Sequence, residues 1–133
     1  MTMRLELVPL TVADVDRSLV FYRDVLGFHL DHDVFPGNGM RVVQFTPPGS
    51  ACSIAFGTGM GVGAPVSNLH LVVDDLEQTR ATLVARGLDV TAIHDMGGGV
   101  RYAFFADPDE NSWALQEIRP GALLPQERAG EEP

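Results

Sequence analysis

His70 is the residue in this sequence best suited to chemistry, because it interrupts a strand-like alternation of apolar residues. Leu69, Leu71 and Val73 would share one face of a strand, so His70 and Val72 would share the other. An imidazole titrates near neutrality and can give or take a proton there. His70 is therefore the candidate catalytic residue, as a general acid or base. The alternative is a structural histidine whose ring is satisfied by its neighbours.

The other reactive groups are less well placed for chemistry. Cys52 is the only cysteine, which excludes an internal disulfide and a cysteine-rich zinc site, and it would need an activating partner to act as a nucleophile. His29, His32 and His94 have no paired spacing for binding a metal. The run GTGMGVG (residues 57–63) lacks the lysine and the strand-to-helix context of a phosphate loop, so we interpret it as a linker.

Composition limits the partners of the protein. Nine Lys and Arg against 18 Asp and Glu give a net charge of −9, which argues against nucleic acid and anionic membrane surfaces. No apolar run approaches the roughly 18 residues of a membrane span, and the N-terminus lacks a signal-peptide pattern. A soluble cytoplasmic protein without a cofactor is expected.

Two pairs of segments repeat one another along the chain. GNGMRVVQFTPPGS aligns with GGGVRYAFFADPDE, and upstream LTVADVDRS aligns with LVVDDLEQT. The separation of the two blocks is nearly the same in each copy, so we interpret the chain as a duplication. The aligned pairs used below are Val12 with Val73, Arg41 with Arg101, and Pro48 with Pro108.

Each copy is predicted to form a βαβββ unit. Asp14 or Asp16 would cap the helix of the first copy, and Asp75 would cap the helix of the second. The expected boundaries are residues 4–60 and 66–118 for the repeats, 1–120 for a single domain, and 121–133 for a flexible tail.

The motifs DVDRSLVFYRDVLGF and FFADPDENSWALQE resemble those of the vicinal oxygen chelate superfamily. That superfamily includes glyoxalase I, extradiol dioxygenases, methylmalonyl-CoA epimerase and the bleomycin-resistance proteins. The resemblance covers roughly residues 4–118 and departs at DPDEN, where Glu110 replaces the usual glycine. It implies an α+β fold in which two βαβββ repeats form curved mixed sheets around a concave cavity, with the helices on the convex side.

The resemblance also implies where metal-dependent members would hold their ion, on the first and last strands of each unit. The corresponding residues here are Leu7 and Asn68 on the first strands, and Ile54 and Ala114 on the last. Hydrocarbons and one amide cannot replace histidine and carboxylate ligands, so no metal site is predicted.

Strand alternation then selects the residues that would face the cavity. Phe45 and Phe105 are expected to pack against the helices. Arg41 and Arg101 could clamp an anionic substrate, but alternation points them to the helix side or the strand ends, so pairing with acidic residues is expected. Besides His70, the positions predicted to bind ligand are Asn68, Gln44, Phe56, Tyr102, Phe104 and Gln116.

Three functions fit these residues. The first is a metal-independent lyase or isomerase that acts next to a carbonyl, with His70 as acid or base. The second is a non-catalytic protein that sequesters a drug or metabolite, as the bleomycin-resistance members do. The third, a metal-dependent lyase or dioxygenase, is disfavoured by the ligand positions. All three take a small organic ligand, and a homodimer is expected because an open curved sheet leaves edges to cover.

Overall fold

The computed structural model describes residues 1–120 and divides them into two compact units. The first unit consists of Met1–Asn68 and Ala106–Ser112, and the second of Leu69–Phe105 with residues 113–120. Residues 121–133, where the sequence predicts a flexible tail, lie outside the described residues. The short segment Ala106–Ser112 belongs to the second repeat by sequence, yet it packs within the first unit.

The two repeats have the same order of elements. The first comprises β1 (Leu7–Pro9), α1 (Val15–Val20) continued by a π-helical turn (Phe21–Val25), β2 (His29–Gly37), β3 (Met40–Thr46) and β4 (Ser53–Thr58). The second comprises β5 (Leu69–Val72), α2 (Leu76–Ala85), β6 (His94–Asp95), β7 (Val100–Ala106) and β8 (Ser112–Ile118). The strand orders are β1-β4-β3-β2 and β5-β8-β7-β6, and in each sheet the first strand runs parallel to the last. The predicted α+β fold of two βαβββ repeats with mixed sheets is confirmed.

Both helices begin at an aspartate cap. The side chain of Asp14 accepts a hydrogen bond from the backbone N–H of Arg17, and that of Asp75 from Gln78, each at 3.0 Å. Each cap satisfies an amide that the first helical turn leaves without a partner. Of the two candidates for the first helix, Asp14 is the cap.

The core of the first unit is aromatic. Tyr22, on the π-helical turn, is fully buried, and the rings of Phe28, Phe45 and Phe56 lie 5.7–6.0 Å from its own. Phe45 alternates along β3 with less buried neighbours, so only one face of the sheet packs against the helix. We call the other face of each sheet, away from its helix, the open face.

The core of the second unit follows the same pattern. Phe105 on β7 stacks on Trp113 of β8, with ring centroids 6.2 Å apart, and Leu115 is buried on the same side of β8. Leu76 and Leu83 are the buried residues of α2. The alternation that the sequence predicts for the third strand of each repeat is confirmed at Phe45 and Phe105.

Arg41 ties the first helix to its sheet. Its guanidinium contacts Asp33 of β2 at 2.8 Å and Asp16 of α1 at 2.7 Å. Hydrogen bonds from Arg41 hold the pKa of Asp33 below its usual value, against the opposing effect of desolvation. The predicted pairing of this arginine with acidic residues on the helix side is confirmed.

Arg101 occupies the equivalent position in the second repeat. It contacts Glu117 of β8 at 2.8 Å and Glu77 of α2 at 2.9 Å. Glu117 also accepts a hydrogen bond from the backbone N–H of Leu76, at the start of α2, at 2.8 Å. The bond from Leu76 is the largest influence on Glu117, and with Arg101 it keeps the pKa of this carboxyl below its usual value despite desolvation.

Neither helix of residues 1–120 has the length and apolar character that a bilayer span requires.

Candidate functional site

The open face of the second sheet carries a row of four aromatic rings. The ring of His70, on β5, stands edge-on to that of Tyr102 on β7, with centroids 5.7 Å apart and planes at 83°. Tyr102 is parallel to Phe104, with centroids 6.0 Å apart and planes at 6°, and Phe104 lies 6.4 Å from His94 of β6. All four residues are at least partly exposed. The row therefore offers ring faces and edges to a ligand.

Gln116 of β8 fixes one member of this row. Its Nε2 donates a hydrogen bond to the Tyr102 hydroxyl oxygen at 2.8 Å. The amide thereby holds the phenol in place, and the phenolic hydrogen can still be donated to another acceptor. His70, Tyr102, Phe104 and Gln116 thus lie together on one face, as the alternation predicts. Their role in ligand binding stays a prediction.

The open face of the first sheet carries a different, polar cluster, centred on Asp31. One carboxylate oxygen accepts hydrogen bonds from Gln44 Nε2 at 3.0 Å and from the Thr46 hydroxyl. The other lies 2.9 Å from Nδ1 of His29. The hydroxyls of Thr46 and Ser53 are 2.7 Å apart, which joins β4 to the cluster. We call these residues the Asp31 cluster.

Asp31 shares this face with His29 because the two residues lie two positions apart on β2, as ordinary strand alternation requires. A β-bulge follows Asp31. His29 lies opposite Thr46 and His32 lies opposite Gln44, so β2 has one residue more than β3 at this point. The bulge turns His32 to the open face and Asp33 to the helix side, where Asp33 pairs with Arg41. The sequence signal for the contact between His29 and Asp31 was their spacing of two residues, whereas their partners on β3 depend on strand pairing.

The environment of Asp31 favours its charged form. Desolvation acts to raise its pKa, but hydrogen bonds from Thr46, His29 and Gln44 outweigh that effect and hold the pKa below the usual value. Asp31 is therefore an anion at neutral pH and accepts a hydrogen bond from the Nδ1–H group of His29.

Phe56 does not lie on the open face, and its predicted position toward the cavity is wrong. It is fully buried, with its ring 5.7 Å from that of Tyr22 and 6.0 Å from that of Phe45. In the register of the sheet it lies opposite Val43, another fully buried residue. Phe56 is part of the core.

The position of Phe56 was predicted wrongly because the register of β4 differs from the one that the aligned repeats imply. Aligning the repeats at their prolines places Ile54 at the position of Ala114. In the structure Ala55 pairs with Pro9 and Ala114 pairs with His70, and Pro9 and His70 are equivalent residues of the first strands. The loop before β4 is therefore one residue longer than its counterpart. A slip of one residue turns every side chain to the other face, so Ala55 is the true equivalent of Ala114.

Of the two amide side chains predicted to face the cavity, Gln44 lies on an open face and Asn68 lies outside the regular strand. Asn68 precedes β5 and has a left-handed backbone with φ of 57°, so strand alternation does not assign its side chain to the face of His70. Its backbone N–H donates to Ser112 Oγ at 2.8 Å. Gln44 lies on the open face of the first sheet as predicted, with its amide bound to Asp31.

The positions implied for metal ligands do not fit a divalent ion. With the register corrected they are Leu7, Ala55, Asn68 and Ala114, three hydrocarbons and one amide. Within residues 1–120 no three side chains of His, Cys, Asp or Glu are grouped as metal ligands would be.

The first unit also contains a cavity of about 730 Å³ between the β1–α1 connection and residues 57–65. Several of its polar groups are already paired with one another or with Arg17. Gly63 donates its N–H to Thr11 Oγ1 at 3.1 Å, and Asp109 accepts from the N–H of Ala13 and from Arg17, each at 3.0 Å. None of the residues predicted to bind ligand lines it. We therefore do not assign the ligand to this cavity.

The DPDEN motif has a structural role in the first unit. The Tyr22 hydroxyl donates to Asp107 at 2.7 Å inside the core. Asn111 donates to the same carboxylate from its backbone and its side chain, each at 2.9 Å, and its Oδ1 accepts from the N–H of Val66. The motif therefore closes the core of the fold and takes no part in either open face.

The chain is similar to proteins of a known family. A model described as Glyoxalase/Bleomycin resistance protein/Dioxygenase superfamily matches residues 4–115, and the chain belongs to that superfamily. The resemblance found in the sequence is confirmed. No curated protein matches the chain significantly.

Solved structures share the fold along nearly their whole length. TnmS3, an antibiotic binding protein from Streptomyces sp. CB03234, is 28% identical with a TM-score of 0.77, over 89% of this chain and 98% of its own. A superfamily member from Sphaerobacter thermophilus is 29% identical with a TM-score of 0.76, over 87% of this chain and 98% of its own. The fosfomycin resistance protein FosX from Listeria monocytogenes, 14% identical with a TM-score of 0.72 over 93% of this chain and 100% of its own, shows the fold alone.

Proposed function

We propose that this protein binds and sequesters a small, flat organic molecule, such as an antibiotic or an aromatic metabolite. The observation that carries the proposal is the row of His70, Tyr102, Phe104 and His94 on the open face of the second sheet. Aromatic faces stack on conjugated rings, and removing water from a partly exposed row of rings costs little free energy.

The hydrogen bond from Gln116 to Tyr102 adds directionality to this surface. Because Gln116 occupies one lone pair of the phenol oxygen, the phenolic hydrogen is available to a carbonyl or phenolate oxygen on the ligand. A flat molecule with a ring-bound oxygen therefore matches the row in both shape and polarity. The 28% identity to TnmS3, described as an antibiotic binding protein, supports this class of ligand.

The proposal is tested by a thermal-shift screen of antibiotics and metabolites, followed by calorimetry on the compounds that stabilise the protein. Pairs of planar aromatic compounds and their saturated analogues are included. We expect the aromatic member of each pair to bind more tightly. Equal stabilisation by the saturated analogues would remove the stacking argument.

Matched variants locate the binding surface. Tyr102→Leu and Phe104→Leu should each lower the affinity for an aromatic compound by about two- to twelvefold, since aromatic pairs contribute roughly 0.5–1.5 kcal/mol beyond the area they bury. Val42→Leu, at the position equivalent to Tyr102 in the first repeat, is the control and should leave affinity unchanged. Loss of affinity in the control alone would contradict the assignment.

A second candidate function, a metal-independent lyase or isomerase acting next to a carbonyl, rests on His70. This imidazole lies at one end of the row, exposed and edge-on to Tyr102, where a bound carbonyl compound would meet it. It would move a proton between the carbon next to the carbonyl and its own ring.

His70→Gln distinguishes the two functions. In an enzyme this change should lower turnover by about a hundredfold with little loss of ligand affinity, since general acid–base catalysis is typically worth that much. In a binding protein there is no turnover to lose, and affinity should change by only a few-fold. The measurement is product formation from each stabilising compound, followed by mass spectrometry.

We further propose that the chain forms a homodimer, because each sheet is open and has two edge strands, β1 and β2 in the first and β5 and β6 in the second. Light scattering across the micromolar range should give the mass of two chains.

A further inference from the structure

We propose that His29 and Asp31 form a second, oriented acid–base pair, which accepts a proton from a carbon or oxygen acid that reaches the open face of the first sheet. This activity is separate from the ligand-binding row of the second unit. Its substrate class is a small molecule with an acidic hydrogen, such as a carbon acid beside an electron-withdrawing group or a phenol.

The first argument is the orientation of the imidazole. Asp31 lies 2.9 Å from Nδ1 of His29, so the carboxylate favours the tautomer with the hydrogen on Nδ1. Nε2 then carries the lone pair that takes up a proton. The side chain of His29 is 76% exposed, which leaves the ring accessible to a small molecule.

The second argument is the rigidity of the carboxylate. Asp31 is held by Gln44 and Thr46 from the neighbouring strand, and Ser53 supports Thr46 from the next strand. The side chain of Asp31 is only 22% exposed, unlike that of a typical surface ion pair. A carboxylate held by two hydrogen bonds from β3, one of whose donors is itself supported from β4, can stabilise the imidazolium that forms when His29 accepts a proton.

The third argument is the set of groups around the pair. His29 and Asp31 lie two residues apart on β2, so strand alternation holds both on the open face, and His29 lies opposite Thr46 of β3. β3 and β4 add only the neutral Gln44, Thr46 and Ser53 to the cluster. His32 is the other titratable residue of β2 on this face, opposite Gln44 in the register.

The experiment uses a nitrobenzisoxazole as the probe, because this carbon acid needs only a base. When a base removes the C–H proton, the electrons of the C–H bond form the third bond of a nitrile and the N–O bond breaks. The ring opens to a single coloured product, a nitrophenolate that carries the nitrile. The proton goes to Nε2 of His29 and then to water. The second-order rate constant is measured on the full chain carrying His70→Gln, which removes the candidate base of the second unit.

In that background we expect His29→Gln to lower the rate by about tenfold or more, and Asp31→Asn to lower it by several-fold because the tautomer is lost. His32→Gln is the matched control on the same strand and should leave the rate unchanged. A rate unaffected by His29→Gln, or lowered equally by His32→Gln, would overturn the proposal.

Nitrogen NMR of the imidazoles provides a readout that does not depend on the probe. His29 should show the Nδ1–H tautomer in the wild-type chain and lose that preference in Asp31→Asn. The same tautomer mixture in both chains would contradict the pairing. Neither measurement uses the natural ligand, so failure here and failure of the proposed binding function are distinguishable.

Discussion

The two repeats share a scaffold and differ in what they place on it. Arg41 and Arg101 each join a strand to an acidic residue of the helix, and Asp14 and Asp75 each cap a helix with the same 3.0 Å hydrogen bond. The buried residues of the third strands are also equivalent. The helix side of the sheet is therefore the part of the duplicated unit that folding requires in both copies.

The open faces are not equivalent. Tyr102 and Phe104 on the second sheet correspond to Val42 and Gln44 on the first, so an aromatic row in one repeat corresponds to an aliphatic and an amide side chain in the other. The first sheet instead carries Asp31 on β2, a strand of nine residues whose counterpart β6 has two. The residues of the open face, which do not form the core, have therefore diverged. They are aromatic in the second unit, and in the first they surround a charged aspartate.

The largest difference between the repeats in stability should come from the turn before the last strand. Asp107→Ala should lower the free energy of unfolding by about 3–5 kcal/mol, because Tyr22 and Asn111 would keep buried donors without an acceptor. Pro47→Ala, at the equivalent position of the first repeat, should cost less than about 1 kcal/mol. Urea denaturation measures the free energy of unfolding of both variants. Similar losses would mean that the two turns contribute equally to stability, against this prediction.

A smaller difference is expected between the acidic partners of the two arginines. Glu117→Ala should cost about 2–3 kcal/mol, because the buried N–H of Leu76 loses its acceptor along with the partner of Arg101. Asp33→Ala removes a more exposed pair and should cost about 1 kcal/mol or less. Chemical denaturation at neutral pH compares them, and a larger loss in Asp33→Ala would reverse the ranking.

The pH dependence follows from the lowered pKa of Glu117. The folded state binds its proton more weakly than the unfolded state, so the stabilisation is complete above the ordinary glutamate pKa and is lost as the pH falls through the lower folded value. Stability of the wild-type chain should therefore fall more steeply than that of Glu117→Ala in this acidic range. If the free energies of unfolding of the two chains fell in parallel with pH, the Glu117 carboxylate would contribute nothing to stability in this range.

The smallest effects test the shared part of the scaffold. Asp14→Ala and Asp75→Ala should each cost about 1 kcal/mol, the usual value of an aspartate N-cap. Because the two caps have the same geometry, the losses should agree within about 0.5 kcal/mol. Thermal unfolding of the two variants checks this, and a clear inequality would show that the helices do not contribute equally.

The duplication, the order of elements and the helix-facing core could be predicted from the amino-acid sequence. These follow from local periodicity and from aligned motifs, and both are properties of the chain alone. The common face of His70, Tyr102, Phe104 and Gln116 could be predicted in the same way, because β5, β7 and β8 are regular strands in this region.

The register of β4 and the faces of His32 and Asp33 depend on tertiary structure. Side chains alternate with a period of two, so one extra residue in the loop before β4 sends Phe56 into the core. One extra residue in β2 turns His32 to the open face and Asp33 to the helix side, where Asp33 pairs with Arg41. Neither insertion changes local composition or propensity. Their positions are set by the pairing of strands, which residues distant in the chain determine.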